Sequence, residues 1–156
     1  MSRGFDPLHP LPKIMDQKSK IIEIIKIVGS KLQDQEVTWL VGGSGSLLIH
    51  GLDVTPNDID IIVNPEDFNE VQTILKDFQI TDTFQTQFRI NDIEVELIPR
   101  RIDSSLLENK RMDRIDVFVY KLSVEYSFYR ARTDKIEANR IKIDLIEKEL
   151  DRQNNL

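Results

Sequence analysis

Apolar residues in the first half of the chain recur with two different periods. Over residues 13–32 they return every three or four positions, which predicts a helix. Residues 37–41 are rich in β-forming side chains and stop at two glycines, which predicts a strand that runs into a turn. A short helix over 44–49, a second strand over 58–63 and a helix over 65–76 are predicted in the same way.

The second half of the chain begins with two alternating segments and ends with helical patterns. Residues 84–90 and 93–98 alternate apolar and polar side chains on either side of the pair 91–92, which predicts a β-hairpin. Helical periodicity predicts one helix over 117–132 and another over 135–152. The last helix has three expected inward positions, which are Ile136, Ile143 and Ile146.

This order of elements predicts an α/β (or α+β) fold with a small mixed β-sheet flanked by helices. Residues 1–12 contain three prolines and a glycine, and we expect them to form a flexible N-terminal arm. The rest, residues 13–156, is predicted to be a single domain with its core in 37–98 and helices in about 104–152.

Composition narrows the classes of partner. The chain has 156 residues, a net charge of −6 and a pI near 5.0, so it lacks the basic surface that DNA or a long RNA needs. It has no cysteine, which excludes disulfides and thiolate metal sites. The N-terminal residues lack the apolar run of a signal peptide and no stretch reaches membrane-spanning length, so we expect a cytoplasmic protein with no membrane partner.

Two aspartates interrupt the otherwise apolar strand predicted over 58–63. Because side chains alternate along a strand, Asp58 and Asp60 project from one face about 6–7 Å apart, while Ile59 and Ile61 take the other. Such a pair either lies on a solvated face or jointly binds a cation. Oxygen donors at this spacing suit a hard divalent ion, Mg²⁺ or Mn²⁺, that completes its shell with phosphate and water.

The second strand of the predicted hairpin repeats this arrangement. Glu94 and Glu96 share one face of that strand. If it lies beside 58–63, a third carboxylate joins the aspartate pair, and three carboxylates around a phosphate-bound metal are suited to phosphoryl or nucleotidyl transfer. Arg89, on the first strand of the hairpin, is a candidate contact for a triphosphate.

A glycine–serine cluster precedes the aspartates. Gly42 and Gly43 allow the backbone to approach a phosphate closely, and amide groups at a following helix start favour anions. Ser44 and Ser46 add hydroxyl donors. The cluster lacks the Lys-Ser/Thr ending of a Walker A loop.

Together, these motifs resemble the nucleotidyltransferase fold of the DNA polymerase β superfamily. In that family a Gly-Gly or Gly-Ser turn precedes an Asp-x-Asp strand, and a third acid follows on a later strand. Here Gly42-Gly43-Ser44 precedes Asp58-Ile59-Asp60 with fourteen residues between Gly43 and Asp58. The pattern is similar to that of small bacterial members, including minimal nucleotidyltransferases and relatives associated with toxin–antitoxin pairs.

The resemblance implies that Asp58, Asp60 and an acid on the hairpin strand hold the metals. The third ligand is expected to be Glu96, with Glu94 as the alternative, and it would also activate the acceptor hydroxyl. The resemblance further implies that Gly43 and Ser44 contact the nucleotide phosphates.

The implied activity is metal-dependent transfer of a nucleoside monophosphate from a nucleoside triphosphate, ATP being favoured, to a hydroxyl of a small molecule, protein or RNA. Because residues 52–54 lack the basic residue that relatives often carry there, an alternative is an inactive subunit that binds a protein partner, such as an antitoxin. A third interpretation is an α/β domain whose acidic strand is merely solvated.

Overall fold

The computed structural model describes residues 15–78 and 87–155. Within these ranges it has five α-helices and six β-strands, joined by short turns and 3₁₀ segments. The helices are α1 (Gln17–Leu32), α2 (Gly43–Ile49), α3 (Phe68–Ile74), α4 (Leu122–Ala131) and α5 (Arg140–Asn154). The strands are β1 (Trp39–Gly42), β2 (Asp58–Val63), β3 (Gln87–Ile90), β4 (Ile93–Pro99), β5 (Leu107–Asn109) and β6 (Phe118–Tyr120).

A mixed four-stranded sheet forms the centre, in the order β1-β2-β4-β3. Strand β2 pairs antiparallel with β1 and parallel with β4, while β3 pairs antiparallel with β4. The predicted small mixed sheet with flanking helices is therefore confirmed. The predicted arm over 1–12, the helix positions 13–14 and the strand positions 84–86 lie outside the described residues.

Local chemistry explains where several elements begin and end. Helix α1 begins after Asp16, whose side chain accepts a hydrogen bond of 2.8 Å from the Ser19 amide, as expected of an N-cap. The hairpin β3–β4 turns at Asn91 and Asp92, which have φ of 49° and 70°. Two consecutive positive φ values are typical of the type I′ turn that joins twisted antiparallel strands.

One face of the central sheet forms the main core. Its inward side chains include Ile59 and Ile61 of β2 and Val95 of β4, and they pack against α1 and α3. Helix α1 contributes a stripe of isoleucines and Val28 to the same core. The opposite face is apolar only in part, since Leu40 and Ile62 are covered by residues from the C-terminal half and the rest carries the acidic side chains.

The prediction of helix throughout the C-terminal segment is wrong for residues 107–121, which follow a short 3₁₀ helix over Ser104–Leu106. Strands β5 and β6 form a separate two-stranded hairpin there, and α4 begins only after Lys121. Val117 and Val119 are fully buried in the main core, which requires the alternation of a strand and overrides the helical periodicity. The hairpin turns at Asp113 and Arg114, which again have positive φ values.

Helices α4 and α5 pack on the outer side of α2. Leu47 of α2 meets Leu122 and Tyr129 of α4 and the inward residues Ile143 and Ile146 of α5 in a second apolar cluster. The prediction that Ile143 and Ile146 face inward is confirmed. Helix α5 begins at Arg140, five residues later than the pattern predicted, after a 3₁₀ turn over Thr133–Lys135. No helix in the described ranges is long and apolar enough to span a membrane.

We expect Ile146→Ala to lower the free energy of unfolding by about 2–5 kcal/mol, because it removes a fully buried side chain and leaves a cavity between α5 and α2. Ile141→Ala, in the same helix but 76% exposed, is the matched control and should change stability little. Urea unfolding followed by circular dichroism measures both. Equal losses would contradict the packing of α5 on this cluster.

Candidate active site

Four carboxylates lie on one face of the sheet where β2 and β4 run side by side. The parallel register sets Asp58 opposite Glu94 and Asp60 opposite Glu96. Asp58 is exposed, whereas the other three are half-buried. The structure thus brings together all four acidic residues that the sequence singled out.

The electrostatics of this group centre on Asp60. Burial raises the pKa of Asp60, and the charges of Asp58 and Glu96 raise it further. Arg100 acts in the opposite direction and lowers the pKa of Asp60. The site therefore concentrates negative charge that a bound cation would relieve.

The donor chemistry of this face fits a hard divalent cation. Carboxylate oxygens at neighbouring positions of two strands are the ligands that Mg²⁺ prefers. In the described part of the chain, no three acidic or histidine side chains converge tightly enough to enclose an ion by themselves. An ion held by Asp58 and Asp60 would consequently depend on other oxygens, such as those of a nucleotide and water, to complete its shell.

The glycine turn between β1 and α2 abuts the acidic face. Gly42 is the strand partner of Asp60, and Gly43 has φ of +58°. A Cβ atom on Gly43 would lie 2.9 Å from Oδ2 of Asp60, and one on Gly42 would lie 2.8 Å from Cδ1 of Ile62. A side chain at either position would therefore displace the end of a β2 side chain, and Gly43 is also favoured by its positive φ.

A cleft of about 570 Å³ opens in front of the turn and Asp60. Helix α4 and the residues that flank it at both ends form another wall of the cleft. That wall contributes aromatic side chains, a buried carboxyl group and a cation. The lining from this side comprises Tyr120, Glu125, Phe128, Tyr129, Ala131 and Arg132.

Glu125 is the most unusual titratable residue of the cleft. It is only 4% exposed, and its Oε1 accepts a hydrogen bond of 2.9 Å from the hydroxyl of Ser46, which is fully buried. Burial raises the pKa of Glu125 to about 7, and the bond from Ser46 lowers it only in part. Burial and the nearby Glu125 charge also raise the pKa of Tyr129 to about 12.

The other residues predicted to contact the phosphates are Ser44, Ser46 and Arg89, and they lie in different environments. Ser44 is half-buried at the glycine turn, whereas Ser46 points away to Glu125. Arg89 lies opposite Glu94 on the edge strand, is exposed, and donates to the Asp92 carbonyl at 3.2 Å.

Sequence reasoning did not find Glu125 or the aromatic wall of the cleft. One signal was available, because Leu122, Glu125 and Tyr129 follow one another at helical spacing on the buried side of α4. A carboxylate within an apolar stripe indicates a special environment. The cleft as a whole depends on how α4 is placed against α2, which local patterns do not encode.

Comparison with solved structures places this arrangement in the nucleotidyltransferase fold. The chain is similar to a Thermotoga maritima protein assigned as a nucleotidyltransferase, with a TM-score of 0.63, 20% identity, and coverage of 87% of this chain and 97% of that one. It is also similar to ANT(2″)-Ia solved with adenylyl-2″-tobramycin, with a TM-score of 0.58, 12% identity and coverage of 84% and 89%. The solution structure of the antibiotic-resistance factor ANT(2″)-Ia gives a TM-score of 0.55, 12% identity and coverage of 90% and 95%.

A match to a protein-family model identifies the family of this chain. The model of the aminoglycoside-2″-adenylyltransferases matches residues 24–143, which is most of the chain. The chain therefore belongs to the aminoglycoside-2″-adenylyltransferase family. Comparison with curated proteins finds no match.

We expect Gly43→Ala and Gly51→Ala each to lower the free energy of unfolding by about 1–2 kcal/mol, because both positions have positive φ. Only the Gly43 change crowds Asp60, since nothing lies within 4 Å of a Cβ at Gly51. The carboxyl ¹³C resonance of Asp60 should therefore shift in Gly43→Ala and stay unchanged in Gly51→Ala. The same response in both variants would contradict the contact between Gly43 and Asp60.

The raised pKa of Glu125 means that the folded protein holds this proton more tightly than the unfolded chain. The resulting stability is present at low pH and is lost as the pH rises through about 7. Relative to wild type, we expect Glu125→Gln to gain about 2 kcal/mol between pH 5.5 and pH 8 in urea unfolding. Glu147→Gln, at an exposed position of α5, controls for the lost charge. A gain that does not depend on pH would contradict the shift.

Proposed function

We propose that this protein is a metal-dependent nucleotidyltransferase that transfers AMP from ATP to a hydroxyl of a small-molecule acceptor. One observation carries the proposal: the paired carboxylates of β2 and β4 lie on the sheet face that the glycine turn contacts at Asp60. Family membership supports the choice of adenylyl as the transferred group.

Asp58 and Asp60 would hold the metal ion, because they project from the same face of β2 and Asp60 lines the cleft. When bound, Mg²⁺ supplies positive charge that offsets the charge of the phosphates at the reacting centre. Mn²⁺ uses the same oxygen ligands and is the alternative ion.

Glu96 is the proposed general base, and Glu94 is the alternative. Glu96 is the strand partner of Asp60 and therefore lies next to the proposed metal position. In the reaction, the acceptor oxygen forms a bond to the α-phosphorus of ATP while the bond from that phosphorus to the bridging oxygen breaks. The acceptor's proton passes to the glutamate, and pyrophosphate leaves.

Arg100 and Arg132 are the proposed contacts for the triphosphate. Both line the cleft, Arg100 directly after β4 and Arg132 directly after α4, and the charge of Arg100 is close enough to lower the pKa of Asp60. Arg101, which follows Arg100 in the sequence, instead pairs with Glu66 at 2.7 Å. Gly43 and Ser44 would approach the phosphates from the turn, and Arg89 would reach them only from the sheet edge.

A small, polyhydroxylated amine is the proposed class of acceptor. The chain lacks the basic track that a long RNA requires, and its cleft of about 570 Å³ suits a small molecule. The acidic groups on the sheet face next to the cleft favour a cationic compound. Aminoglycosides combine hydroxyl and ammonium groups and match the family name, so they are the first acceptors to test.

The alternative of a partner-binding subunit remains a prediction, as does the cytoplasmic location. The thermal unfolding experiment that follows separates the enzyme from the partner-binding subunit.

We expect ATP with Mg²⁺, at about 100 times its dissociation constant, to raise the melting temperature by about 5–10 °C. The rise should require Mg²⁺ and should vanish in Asp58→Asn/Asp60→Asn. The double variant Asp144→Asn/Asp151→Asn removes the same charge from exposed positions of α5 and should keep the shift. Transfer of ³²P from [α-³²P]ATP to kanamycin or tobramycin tests the acceptor.

The stability of wild type and of Asp60→Asn without metal is a second measurement that tests the proposal. Since the pKa of Asp60 is raised in the folded protein, its ionised form lowers stability as the pH rises. Asp60→Asn should therefore be more stable than wild type at pH 8 without metal, and should lose the stabilisation by Mg²⁺ with ATP. No response of the wild type to any nucleotide would overturn the enzymatic proposal in favour of the partner-binding one.

A further inference from the structure

Ser46 and Glu125 are the two polar side chains that are buried in the described part of the chain. Their hydrogen bond of 2.9 Å joins α2 to α4 across 79 positions of sequence. Ser46 lies in the helix that begins at the glycine turn, and Glu125 lines the cleft. The bond therefore connects the turn to the wall of the proposed nucleotide site that α4 forms.

This pair is costly for a bond that only holds the fold together. Burial opposes ionisation of Glu125, and the hydroxyl of Ser46 is the favourable interaction that offsets the cost only in part. The neighbouring contacts between α2, α4 and α5 are apolar, as in the cluster of Leu47, Leu122 and Ile146. An apolar residue at 125 would continue that cluster and avoid the buried acid.

The position of Ser46 shows what the bond can control. Ser46 lies three residues after Gly43, so the two residues are one helical turn apart. Gly43 in turn lies against Oδ2 of Asp60. A force that fixes the rotation of α2 at Ser46 therefore also fixes the distance between the glycine turn and the carboxylate proposed to hold the metal.

We propose that Glu125 is a positioning residue that acts through Ser46 to hold the glycine turn against Asp60 in the geometry that binds the nucleotide. The inference rests on the function proposed above and adds a residue from the C-terminal helices to the nucleotide site. Glu125 touches neither the phosphates nor the metal in this role. Its contribution appears in nucleotide affinity.

Two substitutions separate the hydrogen bond from the charge and from packing. Glu125→Gln keeps an oxygen that accepts from Ser46 and removes the ionisable group. Glu125→Met keeps the side-chain length, fills the same space and removes the hydrogen bond. Ser46→Ala removes the donor from the other side with the loss of one oxygen atom.

The experiment measures the dissociation constant of ATP with Mg²⁺ by isothermal titration calorimetry at pH 8, alongside the melting temperature without ligand. We expect Glu125→Gln to bind within about twofold of wild type, and Glu125→Met and Ser46→Ala to bind about tenfold more weakly. Glu125→Met should at the same time match or exceed the melting temperature of wild type, because it removes a buried acid. A purely structural role predicts that affinity and stability fall together.

The double variant Ser46→Ala/Glu125→Met completes the cycle. If the two residues act as one link, it should bind ATP no more weakly than the worse single variant. Additive losses, wild-type affinity in Glu125→Met, or an equal loss in Glu125→Gln would each overturn the inference. If Glu125→Met does not fold, wild-type affinity in Ser46→Ala overturns it and a tenfold loss with an unchanged melting temperature supports it.

Failure of this inference is distinct from failure of the proposed function. If the wild type binds no nucleotide, the proposed function itself fails and the positioning role fails with it. If the wild type binds ATP in a manner that needs Asp58 and Asp60, while all Glu125 and Ser46 variants bind equally well, only the positioning role is overturned.

Discussion

The parallel pairing of β2 with β4 is the constraint on which the rest of the site depends. In a parallel ladder each residue has a fixed partner, so one register sets Asp58 beside Glu94 and Asp60 beside Glu96. A shift of one residue would send the glutamates to the face occupied by the isoleucines of the main core. The register is held by burial of the apolar side chains on the other face, which are Ile59, Ile61, Val95 and Leu97. Because a change of register would expose them to water, their burial also stabilises the positions of the carboxylates.

One face of the sheet carries the main apolar core, and the other carries the acidic side chains. The face toward α1 and α3 is apolar and continuous, whereas the other face changes along each strand from apolar to acidic. The glycine turn closes one end of the acidic region and α4 closes the cleft above it. Charge repulsion and burial at Asp60 are the physical cost of this arrangement, and a bound cation would offset them.

The elements that sequence reasoning predicted well are those whose pattern has one physical interpretation. Strand β2 was predicted with its bounds as observed, because an apolar run interrupted by aspartates at every second position suits only a strand with one polar face. The segment before α4 was predicted wrongly as helix. Val117 and Val119 are two positions apart, so in a helix they would face nearly opposite sides, and their joint burial in the main core requires the alternation of a strand.

The sequence by itself determined the carboxylate pairs, their alternation and the glycine turn, because strand periodicity and the conformational freedom of glycine are local properties. Tertiary structure decided that the pairs lie side by side and that the charge of Arg100 is near enough to lower the pKa of Asp60. It also decided that Ser46 turns from the predicted phosphate contact to Glu125. These features arise from the pairing of distant strands and the packing of α4 on α2, since the free energy that selects them comes from contacts between residues far apart in the chain.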